Sequence, residues 1–317
     1  MANNQKLHVI WGTGSGGMSV MRALTTKGET VRMVNRSGKA DVPLNVQVIA
    51  ADAYNPDSAR EACNGATVVY QCAKPPYNEW PQKFPTLQAN ILEATASIGA
   101  KLIIGDNLYM YGEVPNRPIT EDLPIAATTR KGRTRALVAE AALAAHRNGT
   151  VQVAIGRGSD FFGPGVMDSA MGERAFPPAL QGKAASLFGN IDLPHTYTFI
   201  DDFGKAMATL GERDEALGQV WHVPNAETLT TRQLMTMAFA EMGKPARMSG
   251  MGKWMMRMAG IFIVDARESV EMMYAFEKPF IVDSTKFERA FGVRATPHRE
   301  AIRQTIEWYR EHYAIRT

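Results

Sequence analysis

The chain has 317 residues, with 35 Lys and Arg against 32 Asp and Glu for a formal charge of +3, 45% hydrophobic and 21% charged residues, and two cysteines. A chain this apolar and this weakly charged buries a core and does not remain disordered. Its basic residues are scattered rather than striped, which excludes an electrostatic footprint for nucleic acid.

From the N-terminus, Met1–Lys6 is polar and runs directly into Leu7-His8-Val9-Ile10-Trp11, so no secretory leader is expected. No later segment approaches the ~18–20 apolar residues of a membrane span, and no membrane partner is expected. Leu7–Trp11, Thr30–Val34, Val46–Ile49, Thr67–Tyr70 and Lys101–Ile104 read as buried strands, and Met18–Thr26, Ser58–Cys63 and Thr86–Ile98 between them carry helical apolar spacing. This alternation predicts an α/β fold, a Rossmann-type doubly wound parallel sheet with right-handed crossovers. An Ala-rich helix over Arg135–His146 stops at Asn148-Gly149, and a strand over Val151–Ile155 follows. Beyond residue 158 the texture turns to Gly/Pro-rich loops, with helices at Thr231–Met242 and near Trp254–Ile263, which reads as a smaller C-terminal lobe over the substrate. Many of the eighteen methionines crowd this lobe, as core filling, an adaptable apolar pocket or a subunit contact. Cys63 and Cys72 are too few to staple the fold, and without Cys/His spacing they offer no metal site; they read as reduced thiols of a cytoplasmic protein.

Gly12-Thr13-Gly14-Ser15-Gly16-Gly17 fits G-x-G-x-x-G between the first strand and a helix that continues through Met18. Gly12 permits the tight turn, Gly14 lets backbone approach a pyrophosphate, and Gly17 lets the helix pack close with its N–H groups facing the phosphates. An NAD site places an acid at the end of the second strand, whereas this chain has Asn35-Arg36-Ser37, with a guanidinium able to fork onto a 2′-phosphate. The expectation is NADP(H) over NAD(H); as a solvated surface charge, Arg36 would leave the choice open.

The order of motifs resembles the extended short-chain dehydrogenase/reductase superfamily, the group of NAD-dependent epimerases, dehydratases and related reductases. The resemblance runs through the glycine turn, Ala51-Asp52-Ala53, Asn90-Ile91-Leu92-Glu93-Ala94, Tyr111-Gly112, Gly156-Arg157-Gly158 to Phe162-Gly163-Pro164-Gly165, Tyr197 to Asp202, Trp221 to Asn225 and Ile306 to Tyr309. It implies that Asp52 and Ala53 lie against the adenine, that Gln71, Cys72, Ala73 and Lys74 line the ribose side, with Lys74 reaching toward substrate, and that Gly158 borders the cofactor. It also implies a Ser or Thr before the Tyr-Gly pair and a Tyr-x-x-x-Lys on the next helix, the Tyr being the acid/base.

Here the chain departs, with Asn107 at the Ser/Thr position, Lys131 at the Tyr position and Arg135 at the Lys position. Asn107 retains an amide donor for a carbonyl oxygen. Arg135 keeps a charge for ribose hydroxyls but relays no proton. Lys131 is either a general acid, its proton loosened by burial and like charge, or a side chain pointing to solvent; Tyr109 and Tyr111 are the other proton donors. Where nucleotide-sugar members present an Asn and small polar residues toward a diphosphate, this chain has Ser159-Asp160-Phe161-Phe162, an acid that repels pyrophosphate and an apolar wall. Met167, Ser169, Met171, Phe176 and His195 are expected to complete a mixed pocket, His195 being otherwise structural.

The expected domains are a cofactor domain, 1–158 plus about 196–224, and a discontinuous substrate lobe, 159–195 plus about 225–317. The expected function is an NADP(H)-dependent oxidoreductase moving hydride between nicotinamide and a small carbonyl or alcohol that is not a nucleotide sugar. The alternatives are an epimerase, isomerase or dehydratase using nicotinamide transiently, and a non-catalytic NADP-binding sensor. A homodimer through Thr86–Ile98 and Lys131–His146 is a further expectation, although the face formed by Ala136, Ala139, Ala142 and Ala145 equally suits packing on its own sheet.

Overall fold

The computed structural model describes residues 6–115 and 117–314; Met1 to Gln5, most of the polar stretch read for a leader, lie outside the described residues. The β-branched and apolar runs become β1 (Leu7–Trp11), β2 (Thr30–Asn35), β3 (Gln47–Ala50), β4 (Val68–Gln71), β5 (Lys101–Asp106) and β6 (Gln152–Arg157). They alternate with α1 (Ser15–Thr26), α2 (Pro56–Cys63), α3 (Trp80–Ser97) and α4 (Arg130–Arg147). One seven-stranded sheet results, in the order Val220–His222, β6, β5, β4, β1, β2, β3. Every pair from β6 to β3 is parallel, which bears out the Rossmann-type reading. Helix boundaries follow local chemistry: Asn55 caps α2 by accepting from the Asp57 and Ser58 N–H groups, and α4 ends at Gly149, whose φ of 72° only glycine adopts without strain.

By internal contacts the chain forms two compact units, one of Met1–Met110, Lys131–Arg157 and Phe203–Trp221, the other of Tyr111–Arg130, Gly158–Asp202 and His222–Thr317. In the first unit Val9, Trp11, Val69, Leu102 and Val153 of the sheet pack against Ala59, Ile91, Ala139 and Ala142 of the helices. Sheet order reverses between β1 and β4, the position at which such sheets bind ligands. The loops there nearly touch: a Cβ at Gly12 would stand 2.8 Å from the Ala73 nitrogen. Glycine is needed again where a helix over Ile200–Glu212 crosses α1, since a Cβ on Gly204 would lie 2.3 Å from the Ser19 carbonyl oxygen.

The second unit builds its own core from Phe162, Phe176, Leu187, Tyr197, Phe239 and Tyr309 among others. Phe176 stacks on Tyr309 at 5.5 Å. Met171 and Phe176 therefore correct the expectation that they line a pocket, because both side chains are fully buried in that core. Among the described residues no helix is long and apolar enough to cross a membrane.

The tightest helix-to-turn contact is at Gly17, whose added Cβ would fall 1.9 Å from the Gly12 carbonyl oxygen. Gly17→Ala is expected to force α1 off the turn and to lower unfolding free energy by about 1–3 kcal/mol, measured by denaturant titration. Gly14→Ala, with nothing within 4 Å of its Cβ position, is the control expected to leave stability near wild type.

Candidate functional site

In the first unit the turn after β1 is an open backbone cradle. Gly12 has φ +100°, Gly14 is exposed with open space around it, and α1 begins without a side-chain cap or an acid in its first turn. Thr13, Ser15, Gly16 and Met18 complete the loop and first turn, with the Met18 N–H bonded to the Gly14 carbonyl at 2.9 Å. A helix N-terminus left uncapped beside bare backbone suits a pyrophosphate. Asn35, at the end of β2, bonds to the loop that follows it. Its Oδ1 accepts from the Ser37 and Gly38 N–H groups at 3.0 and 2.7 Å, while its Nδ2 donates to Thr13 Oγ1 and the Lys39 carbonyl. It shapes the loop and ties it to the glycine turn, leaving Arg36 exposed.

Around the same edge, Asp52 Oδ1 accepts from the Tyr54 N–H, and the Ala53 carbonyl accepts from Asn90. Gln71 is buried with its Oε1 unpartnered among the described residues, an orphaned acceptor on the strand end expected to face a ribose. Burial pushes the neighbouring Cys72 thiol up to about 12, which keeps it a thiol at neutral pH. Ala73 is half-buried and Lys74 exposed.

Asp106, at the end of β5, organises the rest of this unit's site. Its Oδ1 accepts from Arg135 Nε at 2.7 Å, from Arg135 Nη2 and from the Asn107 N–H at 2.8 Å, and its Oδ2 accepts from Arg157 Nε at 3.1 Å. Both arginines and the aspartate are almost wholly buried. Arg135 also donates to the Gly105 carbonyl at 3.1 Å and lies 4.3 Å from the Phe84 ring centroid. The guanidinium is thus held by Asp106 and Gly105. One helical turn earlier, Lys131 is 1% exposed, with Nζ 4.4 Å over the Tyr77 ring, so of its two readings the solvent-pointing one is overturned. The Asn107 Oδ1 accepts from the Tyr109 N–H at 3.1 Å, and Tyr109 packs near Trp80.

In the second unit, Tyr111 is buried, with its hydroxyl 2.9 Å from His222 Nε2. His222 Nδ1 faces the Asp283 carbonyl at 2.9 Å; a carbonyl only accepts, so Nδ1 carries the proton and Nε2 receives the Tyr111 hydroxyl. That proton is committed within the core, a physical reason against Tyr111 as a donor to substrate. Gly158 is buried. Asp160 meets His195 Nε2 at 2.8 Å, and the buried imidazole stacks on Phe276 and Phe280 at 4.8 and 5.1 Å. Phe162 packs on Phe199 in the core, leaving Phe161 half-buried. Among the described residues no His/Cys/Asp/Glu cluster suits a metal.

Sequence reasoning missed Asp106, Arg157 and the Tyr77, Trp80 and Phe84 rings. The available sign was an acid closing an apolar strand, Leu102-Ile103-Ile104-Gly105-Asp106, followed by an arginine closing the next.

Removing the carboxylate charge strands two buried guanidiniums, so Asp106→Asn is expected to cost about 3–5 kcal/mol of stability by denaturant unfolding; a loss below about 1 kcal/mol would show the clasp to be incidental.

The model of the NAD dependent epimerase/dehydratase family matches residues 8–223. A curated dTDP-glucose 4,6-dehydratase from Streptomyces griseus is 22% identical over 204 residues, covering 64% of this chain and only 56% of that protein. Among solved structures, a dTDP-glucose 4,6-dehydratase from Bacillus anthracis in complex with NAD has a TM-score of 0.79 at 15% identity, covering 98% of each chain. A UDP-glucuronic acid 4-epimerase from Bacillus cereus in complex with NAD has a TM-score of 0.78 at 18% identity, covering 97% of this chain and 99% of its own. With its Rossmann-type sheet and glycine turn, the chain belongs to the NAD dependent epimerase/dehydratase family.

Proposed function

We propose that the protein is an NADP(H)-dependent oxidoreductase that moves a hydride between nicotinamide and a carbonyl or alcohol substrate that is not a nucleotide sugar. The observation that carries this reading is the turn after β1, where an uncapped helix start meets an open glycine backbone. Gly12 to Met18 would hold the pyrophosphate, Gln71 to Ala73 the ribose side, and Asp52 and Ala53 the adenine edge. For the 2′-phosphate, the end of β2 offers no acid, and Arg36 is exposed without an ion pair among the described residues. NAD accompanies the two solved relatives, so the preference for the phosphorylated form rests on the end of β2, which lacks an acid and carries Arg36.

A bound nicotinamide supplies the hydride donor or acceptor. The chain's own part is to hold the carbonyl and handle a proton. Asn107 donates through Nδ2 to the carbonyl oxygen while Tyr109 N–H fixes its Oδ1. Lys131 takes the place of the family's tyrosine: as the carbonyl carbon gains hydride, Nζ gives its proton to the oxygen, completing the alcohol, and in the reverse direction it takes that proton back. Arg135, bound to Asp106, keeps α4 in register and stays out of proton transfer. In the second unit, an Asp160–His195 pair beside Phe161 supports a substrate without a diphosphate.

A second reading, an epimerase or dehydratase using nicotinamide transiently, is favoured by what the similar proteins are named for. A panel of carbonyls with NADPH and NADH, followed by nicotinamide absorbance and product analysis, separates the two: net NADPH consumption supports the first and product without consumption the second. Lys131→Ala is expected to lower kcat about 10²–10⁴-fold with cofactor affinity retained; unchanged turnover removes Lys131 from the mechanism. Arg36→Ala is expected to weaken NADPH binding about tenfold and leave NADH binding unchanged, and an equal effect on both would refute the 2′-phosphate contact.

A further inference from the structure

We propose that residues 253–264 of the second unit dock on an anionic phospholipid bilayer. Two short helices, Lys253–Ala259 and Val264–Ser269, meet at a turn whose outward side is apolar. Trp254, Ile261 and Phe262 are 72%, 65% and 87% exposed, and Met255, Met258 and Ile263 are exposed beside them. The inner side is occupied: Met256, Ala266 and Met273 form a small buried cluster beneath the helices. The tip thus has a packed inner side and large apolar side chains outward, and such a patch on a folded chain marks a surface that something covers.

Charge identifies the occupant. Residues 242–264 carry Lys244, Arg247, Lys253 and Arg257 and no acid. Glu241 and Asp265 bound this stretch, and of the acids beyond it Glu268 and Glu271 face Arg130. Arg257 and Arg267 line an open cleft of about 350 Å³ with Gly260, Ile261 and Val270, and neither makes an ion pair with any side chain that is described. Two guanidiniums beside protruding indole and phenyl rings match a lipid phosphate above an acyl-chain boundary. A second copy of the same tip fits less well, because self-association would bring two mainly cationic sets together. Docking in the interface requires no spanning helix, so the expectation of no membrane partner, drawn from span length, does not bear on it.

The test is flotation of the full-length chain with phosphatidylcholine vesicles and with phosphatidylcholine/phosphatidylglycerol vesicles. The protein is expected to float with the anionic vesicles only, and less as salt rises. Trp254→Ser with Phe262→Ser is expected to abolish flotation, and Arg257→Gln and Arg267→Gln to weaken partitioning about five-fold each, all with an unchanged thermal melt because these side chains are exposed. No flotation with anionic vesicles, equal flotation with neutral ones, or wild-type flotation of the double variant overturns the proposal. So does a lipid-free dimer in sedimentation velocity that the double variant dissolves, which would assign the tip to a second copy.

Discussion

The buried carboxylate of Asp106 is the constraint on which the first unit's site depends. Asp106 and Arg157 are register partners on the adjacent parallel strands β5 and β6, and Arg135 reaches the same carboxylate from α4. An unpartnered charge at this depth is costly, and two guanidiniums with a backbone N–H satisfy it from three directions. Strand pair and helix are thereby locked at one point. Lys131 lies four residues before Arg135, on the same helix face, so the clasp that holds Arg135 also sets the depth at which the ammonium sits.

On the other side of β4 the site is set by backbone rather than charge. The β1 and β4 loops approach so closely that Gly12 could carry no side chain, and α1 rests on its own turn at Gly17. The helix over Ile200–Glu212 braces the arrangement: Gly204 admits the α1 backbone, and Phe203 lies 3.5 Å from the Cβ position of Gly16 and 3.0 Å from that of Gly105. The glycine turn after β1 and the end of β5 are supported by one aromatic ring. Van der Waals packing at this density gives neither loop room to shift independently.

The alternating sheet was legible because each strand is a continuous apolar run and each crossover a helical repeat, both properties of short windows. Gly12, Gly14 and Gly17 were legible for the same reason, their spacing being local. What escaped is long-range. Asp106, Arg135 and Arg157 are separated by 29 and 51 residues in their pairings, and no window shows that three charges converge. Sequence spacing placed Lys131 and Arg135 on one face but gave no measure of depth, so it left Lys131 undecided between solvent and interior and did not show the carboxylate that holds Arg135. Met171 and Phe176 failed likewise: an apolar residue near a Gly/Pro loop reads the same whether it lines a cleft or fills a core.

The charge balance bears on the proposed chemistry. Lys131, Arg135, Arg157 and Asp106 all have buried side chains in the first unit, and Asp106 holds the two guanidiniums. A tyrosine and lysine at the two α4 positions would place a neutral hydroxyl where this chain has an amine. In a medium of low effective dielectric a buried ammonium stabilises an oxygen that becomes anionic during reaction. Hydride transfer to a carbonyl generates such an oxygen, and in the proposed reading Asn107 and Lys131 both present N–H groups to it. In the proposed reading, the amine at position 131 thus serves reduction through the oxygen that these two residues hold.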